Sequence, residues 1–454
     1  MDAAGPLAAL GIRPVINASA TLTALGGSLM APPAVKAMVD GAAHFVDLHE
    51  LHTRVGERLA SLTRNEAAYV TSGAAAAITL TVASCITDQP QAFPADAEVV
   101  MFASQRNGYD YSARLTGARV VEIGPSADEL RAALARNPAC ILWFAGAHYA
   151  SGALPIEEVV QVTHEFAATQ PDPTAAQPDP TATQPDPTAA QPDPAAVHSG
   201  PAGTELGPDG AEPGPAATRA NPSAAQPGLA GVQSGACGVG TGMGGRRGVP
   251  VIVDAAAQIP PVASLWHFTT EVGADAVIFS GGKGLRGPQS SGLVLGRQWI
   301  VDRCRAHASP TQDIGRGMKV GKEELLGLLA AVEWTLEHDE GAVLAAYERI
   351  VDNWISGLQG LPGVTAERGY PSEAGQPHSR AVVRLSTTSG WTRDGLIKAL
   401  WDGDPRIAVG TIGVGEDEIA LNPQTLEPGE DEVVLDALVR LLSSVDGEQA
   451  GRNA

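Results

Sequence analysis

A mostly parallel α/β sheet wrapped by helices, followed by a smaller α+β lobe, is the architecture this sequence predicts. Three observations predict it. The 454 residues exceed one typical domain. Short, almost unbroken apolar runs alternate with helical stretches, the pattern of strands buried on both faces. After Trp299 the text becomes mainly helical, with a single strand-like run among the helices.

In chain order, EAAYVTSG (66–73) reads as a strand and AAAAITLTVASCI (74–86) as its helix. Strands follow at AEVVMFA (97–103) and ARVVEIG (118–124), then the helix SADELRAALA (126–135) and the strand ACILWFA (139–145). VPVIVDA (249–255), DAVIFSGG (275–282) and SGLVLG (291–296) complete the strand series. The second lobe comprises KEELLGLLAAVEWTLEH, EGAVLAAYERIVDNWISGLQGL, strand-like RAVVRLS, then DGLIKALWDG and DEVVLDALVRLLSS.

Residues 168–247 interrupt this pattern with Pro, Ala, Gly, Gln, Thr and Asp and almost no large apolar side chain, so they cannot build a core. QPDPTAA begins at Gln170 and recurs with small changes at Gln177, Gln184 and Gln191. Two prolines per repeat remove backbone donors and forbid a helix, which predicts a disordered, extended tether. It falls between an amphipathic helix, LPIEEVVQVTHEFA, and a buried strand, so it lengthens one surface loop and leaves the fold intact.

The net charge of -21 repels phosphate backbones and argues against a nucleic-acid partner. Cys85, Cys140, Cys237 and Cys304 form no CxxC pair, so neither a zinc knuckle nor a disulfide framework is expected. His49 and His52 have metal-compatible spacing but no accompanying acidic or cysteine set, and no metal is expected. The start of the chain lacks a secretory signal and no apolar stretch reaches the ~18 residues of a membrane span, so a cytoplasmic protein is predicted.

The chemistry should sit where VIVDAAAQ (251–258) and VIFSGGKGLRGPQSSG (277–292) end, because ligands of open α/β sheets gather beyond the carboxyl ends of strands. A carboxylate directly after one strand, Asp254, and a lysine in a glycine-flanked turn after another, Lys283, fit what pyridoxal 5′-phosphate (PLP) requires. That cofactor needs an imine-forming amine and an anion opposite its ring nitrogen. By spacing alone, a capping aspartate and a solvated lysine explain the pair equally well. TSGAAAA (71–77) adds a third element: small residues after a strand open a helix whose N–H groups can approach a phosphate.

With INASATLTALGG (16–27), LHTRVGERLA (51–60) and GRGMKVGKEE (315–324), these segments resemble the fold-type I PLP enzymes. Within them the chain is similar to the group of selenocysteine synthase and D-glucosaminate-6-phosphate ammonia-lyase. The resemblance implies a seven-stranded-type sheet in a large domain over 51–300 and a small domain over 301–446. It implies further an N-terminal segment, 1–50, packing on the small domain and a partner subunit, a tail at 447–454, and a homodimer or higher homo-oligomer. It makes Lys283 the Schiff-base lysine and Asp254 the partner of the pyridine nitrogen. Ser72, Gly73 and Ala74 become a phosphate cradle, with Ser280 beside it and Gln258 near the cofactor or substrate. Arg106 or Asn107 occupies the place of the residue over the cofactor face, where the related ammonia-lyases look histidine-like. Arg316 and Lys319, with Lys322, form a basic cluster suited to an anionic group of the substrate or a neighbouring subunit's cofactor phosphate. Of Arg380 and Arg384 on the small-lobe strand, Arg384 is the expected substrate-carboxylate ligand.

The expected reaction is α,β-elimination from a hydroxylated amino acid or amino-sugar acid. Selenium transfer on seryl-tRNA is opposed by the acidic balance and by a recognisable core that begins near Gly11. Racemase, aldolase and aminotransferase chemistry on the same cofactor stays open, because these reactions diverge only after the Cα proton is lost. A catalytically silent scaffold recruiting partners through the QPDPTAA tract is opposed by the presence of both Asp254 and Lys283.

Overall fold

The computed structural model describes residues 5–170 and 248–443; the repeat tract and the C-terminal tail lie outside them. The strands are β1 (Val15–Ala18), β2 (Ala67–Thr71), β3 (Glu98–Phe102), β4 (Arg119–Ile123), β5 (Cys140–Phe144), β6 (Val251–Asp254), β7 (Ala276–Ser280), β8 (Gly292–Gly296), β9 (Val364–Gly369), β10 (Arg380–Leu385), β11 (Arg406–Val409) and β12 (Glu418–Leu421).

Seven of them form one sheet in the order β2-β8-β7-β6-β5-β3-β4. Pairing is parallel from β7 across to β4, and β8 runs antiparallel to both β7 and β2. Side chains alternate across it: Val251, Val253, Val277 and Phe279 enter one apolar layer, and Ile252, Ala276 and Ile278 enter the other. Burial on both faces is why these strands read as uninterrupted apolar runs. The expected α/β class and mostly parallel seven-stranded sheet are present.

Helices cover each face. Leu48–Thr63 begins at Asp47, whose Oδ1 accepts from the N–H groups of His49 (2.8 Å) and Glu50 (3.1 Å). Ala74–Ile86 is almost wholly buried, which its run of small and apolar residues allows. The expected amphipathic helix before the tract is Ile156–Thr169, burying Val159, Val160 and Thr163.

The second core gathers a three-stranded antiparallel sheet, β12-β10-β9, with helices Glu340–Leu358, Arg393–Asp402 and Glu430–Ser443. β1 pairs in parallel with β11, Val15 opposite Arg406, so the beginning of the chain is tied to its last quarter. Of these small-core strands only β10 was legible in the sequence. β1, β11 and β12 span only four residues each, and β9, VTAERG, closes on three residues that are not apolar, so none of them makes a long apolar run.

Candidate active site

A cavity of about 660 Å³ opens at the carboxyl ends of the parallel strands, between the large sheet and the small-core strands. Five of the residues expected from sequence meet in its wall beside Lys283: Gly73, Ala74, Asp254, Gln258 and Ser280.

Asp254 and Lys283 are brought together by register. Asp254 ends β6 opposite Ile278 of β7, and five residues past Ile278 the turn carries Lys283. The turn is pinned from outside by Ser28, whose Oγ donates to the Lys283 carbonyl at 2.7 Å and whose N–H donates to the Gly282 carbonyl at 3.0 Å. Gly282 must be glycine, since a Cβ there would lie 2.5 Å from Gln289 Cα. Burial pushes the Asp254 carboxyl above the ordinary carboxylate value, opposed by the Ala256 N–H (2.9 Å) and then by the Lys283 charge. Burial likewise draws the Lys283 amine below its ordinary value, opposed by Asp254. The Lys283 shift favours the neutral amine, which is the form that attacks a carbonyl.

The phosphate side is the start of helix Ala74–Ile86. Its N-cap, Gly73, has φ +107° and gives no side-chain cap, and a Cβ there would meet nothing within 4 Å. First-turn N–H groups of a 13-residue helix thus face open cavity, an arrangement that attracts an anion.

Other expected residues are placed elsewhere. Ser72 turns from the cavity, its Oγ donating to the Met318 carbonyl at 2.9 Å. Arg106 is held by Asp110 (2.5 Å) and Glu122, and Asn107 caps the next turn through Tyr109 N–H (2.7 Å), so neither lies over the cavity. Arg316 and Lys319 are exposed on the loop that receives Ser72, outside the cavity wall. Arg384, the expected substrate-carboxylate ligand, does not line the cavity: its side chain is 54% exposed and bound to Glu418 at the far end of β10, whereas that of Arg380 is 9% exposed and lines the cavity. The two lie four residues apart on one strand, and only the end nearer the cleft reaches it.

Several lining residues carried no signal in the sequence. Tyr109, His148 and Tyr149 form an aromatic wall, with the His148 and Tyr149 rings 3.9 Å apart. Burial first, then Tyr109 and Asp254, raises the Tyr149 phenol above its ordinary value. Glu373 and Asn422 arrive from the small-core side, and Ser19 to Thr23 arrive from the segment after β1. That segment is shaped by Asn17, whose Nδ2 donates to the Ala20 carbonyl (2.8 Å) and whose Oδ1 accepts from Ser19 N–H (2.9 Å). INASATLTALGG was informative as a resemblance; its place in the wall follows only from β1 pairing with β11.

No family model matches the chain. It is 26% identical over 441 residues to D-glucosaminate-6-phosphate ammonia lyase of Salmonella typhimurium, covering 93% of each chain. A solved D-glucosaminate-6-phosphate ammonia-lyase superposes with a TM-score of 0.67 at 24% identity, covering 96% of this chain and 98% of that one. It is also 26% identical over 463 residues to a 5′-C-glycyluridine monooxygenase-decarboxylase of Streptomyces sp, covering 97% and 93%. Serine palmitoyltransferase from S. paucimobilis with a bound PLP–myriocin aldimine has a TM-score of 0.52 at 13% identity, covering 96% and 88%. The chain has the fold of the fold-type I PLP enzymes. Both curated relatives are enzymes, and this chain is an enzyme of the same fold. Its cavity meets the steric and electrostatic demands of the fold-type I cofactor: a buried carboxylate, a half-buried amine on the neighbouring turn, and an uncapped helix start with free space before it. Among the described residues there is no cluster of three metal ligands and no helix long and apolar enough to cross a membrane.

Proposed function

We propose that this chain is a PLP-dependent lyase that removes the elements of water, and then ammonia, from a hydroxylated amino acid or amino-sugar acid. The observation that carries the reading is the buried Asp254 with the half-buried Lys283 in the wall of one cavity that also holds the Ala74 helix start. PLP, when bound, supplies an electron sink for the pair left at the substrate Cα. The Ala74 and Ala75 N–H groups and Ser280 would hold its phosphate, the Asp254 carboxylate would keep its ring nitrogen protonated, and Lys283 Nζ would hold its aldehyde. As a free amine, Nζ would take the Cα proton and could return it to the departing β-hydroxyl. Arg380 orients the α-carboxylate from the small-core side. The released enamine hydrolyses to a 2-oxo acid and ammonia. Tyr109, His148 and Tyr149 flank the cavity as its aromatic side.

The test mixes purified protein and PLP with D- and L-amino acids and aminosugar acids and assays 2-oxo acid and ammonia. Borohydride reduction and peptide mapping should label Lys283. Absence of both products across the panel, or label on another residue, refutes the reading. Equal identity to the Streptomyces enzyme supports one alternative, oxidative decarboxylation, and oxygen uptake with carbon dioxide release in place of ammonia would select it.

A further inference from the structure

We propose that Tyr149 is a cofactor-binding residue, its hydroxyl donating a hydrogen bond to the 3-oxygen of the PLP ring. The proposal rests on the PLP reading of the cavity given above.

Register sets Tyr149 beside Asp254. Phe144, the last residue of β5, lies directly opposite Asp254 of β6, and the Ala145 N–H donates to the Asp254 carbonyl at 2.8 Å. The chain then turns at Gly146, at φ +133°, whose carbonyl accepts from the Tyr149 N–H at 3.0 Å. The turn brings the Tyr149 ring back onto Phe144, centroids 5.5 Å apart, and against the His148 ring, 3.9 Å away. The small-core loop backs it, since a Cβ on Gly375 would lie 2.8 Å from Ala147 N. Tyr149 is half-buried in the cavity wall, and its hydroxyl makes no hydrogen bond among the described residues.

The substituents of the ring say which atom arrives there. Its nitrogen and aldehyde carbon are para to each other, and the 3-oxygen and the phosphate arm occupy opposite edges. Ala74 follows β2, Ser280 ends β7 and Asp254 ends β6. With the phosphate at Ala74 and Ser280 and the nitrogen at Asp254, both phosphate anchors lie on one side of β6 in the order β2-β8-β7-β6-β5. The opposite edge therefore turns toward β5, where Tyr149 stands. Neighbouring polar groups face the small-core loop: His148 Nδ1 lies 3.2 Å from the Glu373 carbonyl, and Gln258 Nε2 donates to the Ala374 carbonyl at 2.7 Å. Asp254, Lys283, Tyr109, His148 and Glu373 are the titratable groups sharing this part of the wall. Burial first, then Tyr109 and Asp254, hold the Tyr149 phenol above its ordinary value, so it stays protonated and donates. Donation to the 3-oxygen draws negative charge away from the imine proton, which is then released at lower pH.

The experiment compares wild type and Y149F by equilibrium dialysis with PLP and with 3-deoxypyridoxal 5′-phosphate, which lacks that oxygen. A pH titration of the visible absorption band of the PLP-loaded proteins accompanies it. Y149F should bind PLP about tenfold more weakly, the loss of one hydrogen bond to a charged acceptor. It should bind the 3-deoxy compound within about threefold of wild type, because the partner of that bond is missing already. The midpoint of the band should rise by about one pH unit in Y149F. Tyr109→Phe, at a residue 58% exposed, should move neither reading. Tyr149→Leu gives the same comparison should Y149F not fold. Equal losses for the two compounds, an unmoved midpoint, or an effect of Tyr109→Phe in place of Y149F overturns the proposal. Absence of borohydride label on Lys283 removes the PLP reading and this one with it; label on Lys283 with unchanged affinities removes this one alone.

Discussion

Replacing Gly282 with alanine tests whether the Lys283 turn is as tightly wedged as its geometry demands. The new Cβ would lie 2.5 Å from Gln289 Cα and 3.2 Å from both Gln289 N and O, all backbone atoms without a rotamer to move aside. From the other side Gly27 presses on the same peptide, its own Cβ position being 2.2 Å from the Gly282 carbonyl oxygen. Relief therefore requires a backbone shift of about 1 Å in a close-packed region, a class of overpacking that costs roughly 1–3 kcal/mol. In a chain of this size the melting midpoint should fall by roughly 1–4 °C. The shift acts one residue from Lys283, and a ~1 Å displacement of a reacting group can cost about 100-fold in rate. We expect G282A to remain folded at 25 °C by circular dichroism, to melt early, and to lose about two orders of magnitude in turnover. Gly317→Ala, where a Cβ meets nothing within 4 Å, should keep the wild-type midpoint. A G282A enzyme with wild-type melting and turnover would refute the tight apposition of the turn.

The remaining expectations concern charge and position. His52 is buried against Tyr69, and burial first, then the Arg305 and His49 charges, draw its pKa from 6.5 to about 4. The unfolded chain then binds a proton that the folded chain refuses, so stability present above pH 6.5 is lost as pH falls toward 4, on the order of 3 kcal/mol in all. Urea melts of His52→Phe should lack this component of the acid slope, and an unchanged slope between pH 4 and 6.5 would contradict the assignment. Arg380→Lys should raise KM by ~10–100-fold with a smaller effect on kcat, because an ammonium cannot span the carbonyls of Ile412 and Gly413 and still face a carboxylate. Arg384→Ala, which removes an exposed ion pair, should leave KM unchanged with little effect on stability; a raised KM in steady-state kinetics would restore Arg384. Ser72→Ala loses the bond to the Met318 carbonyl and about 1 kcal/mol of stability, while PLP affinity stays within ~3-fold. A tenfold loss of PLP affinity by equilibrium dialysis would return that hydroxyl to the phosphate.

By itself the sequence determined the class of the large sheet and placed Asp254 and Lys283 at the carboxyl ends of two of its strands. Strands buried on both faces appear as apolar runs, and Asp254 and Lys283 sit at fixed short offsets from the ends of two such runs, so spacing placed both at one crevice while the family resemblance supplied their expected chemistry. Gly73 and Ala74 were readable for the same reason, since a helix start after a strand is a local feature. Only the tertiary structure decided which arginine faces the cleft. Arg380 and Arg384 share a strand and a chemistry, and what separates them is the distance of each from loops 30 or more residues away in sequence. The same holds for Tyr109, His148, Glu373 and Asn422, which lie on four separate segments and acquire a common role when β1 pairs with β11 and the 371–379 loop locks onto Gln258. Periodicity reports how a residue faces its own element; which elements then meet is set by long-range packing, and a single sequence carries no direct record of those distances.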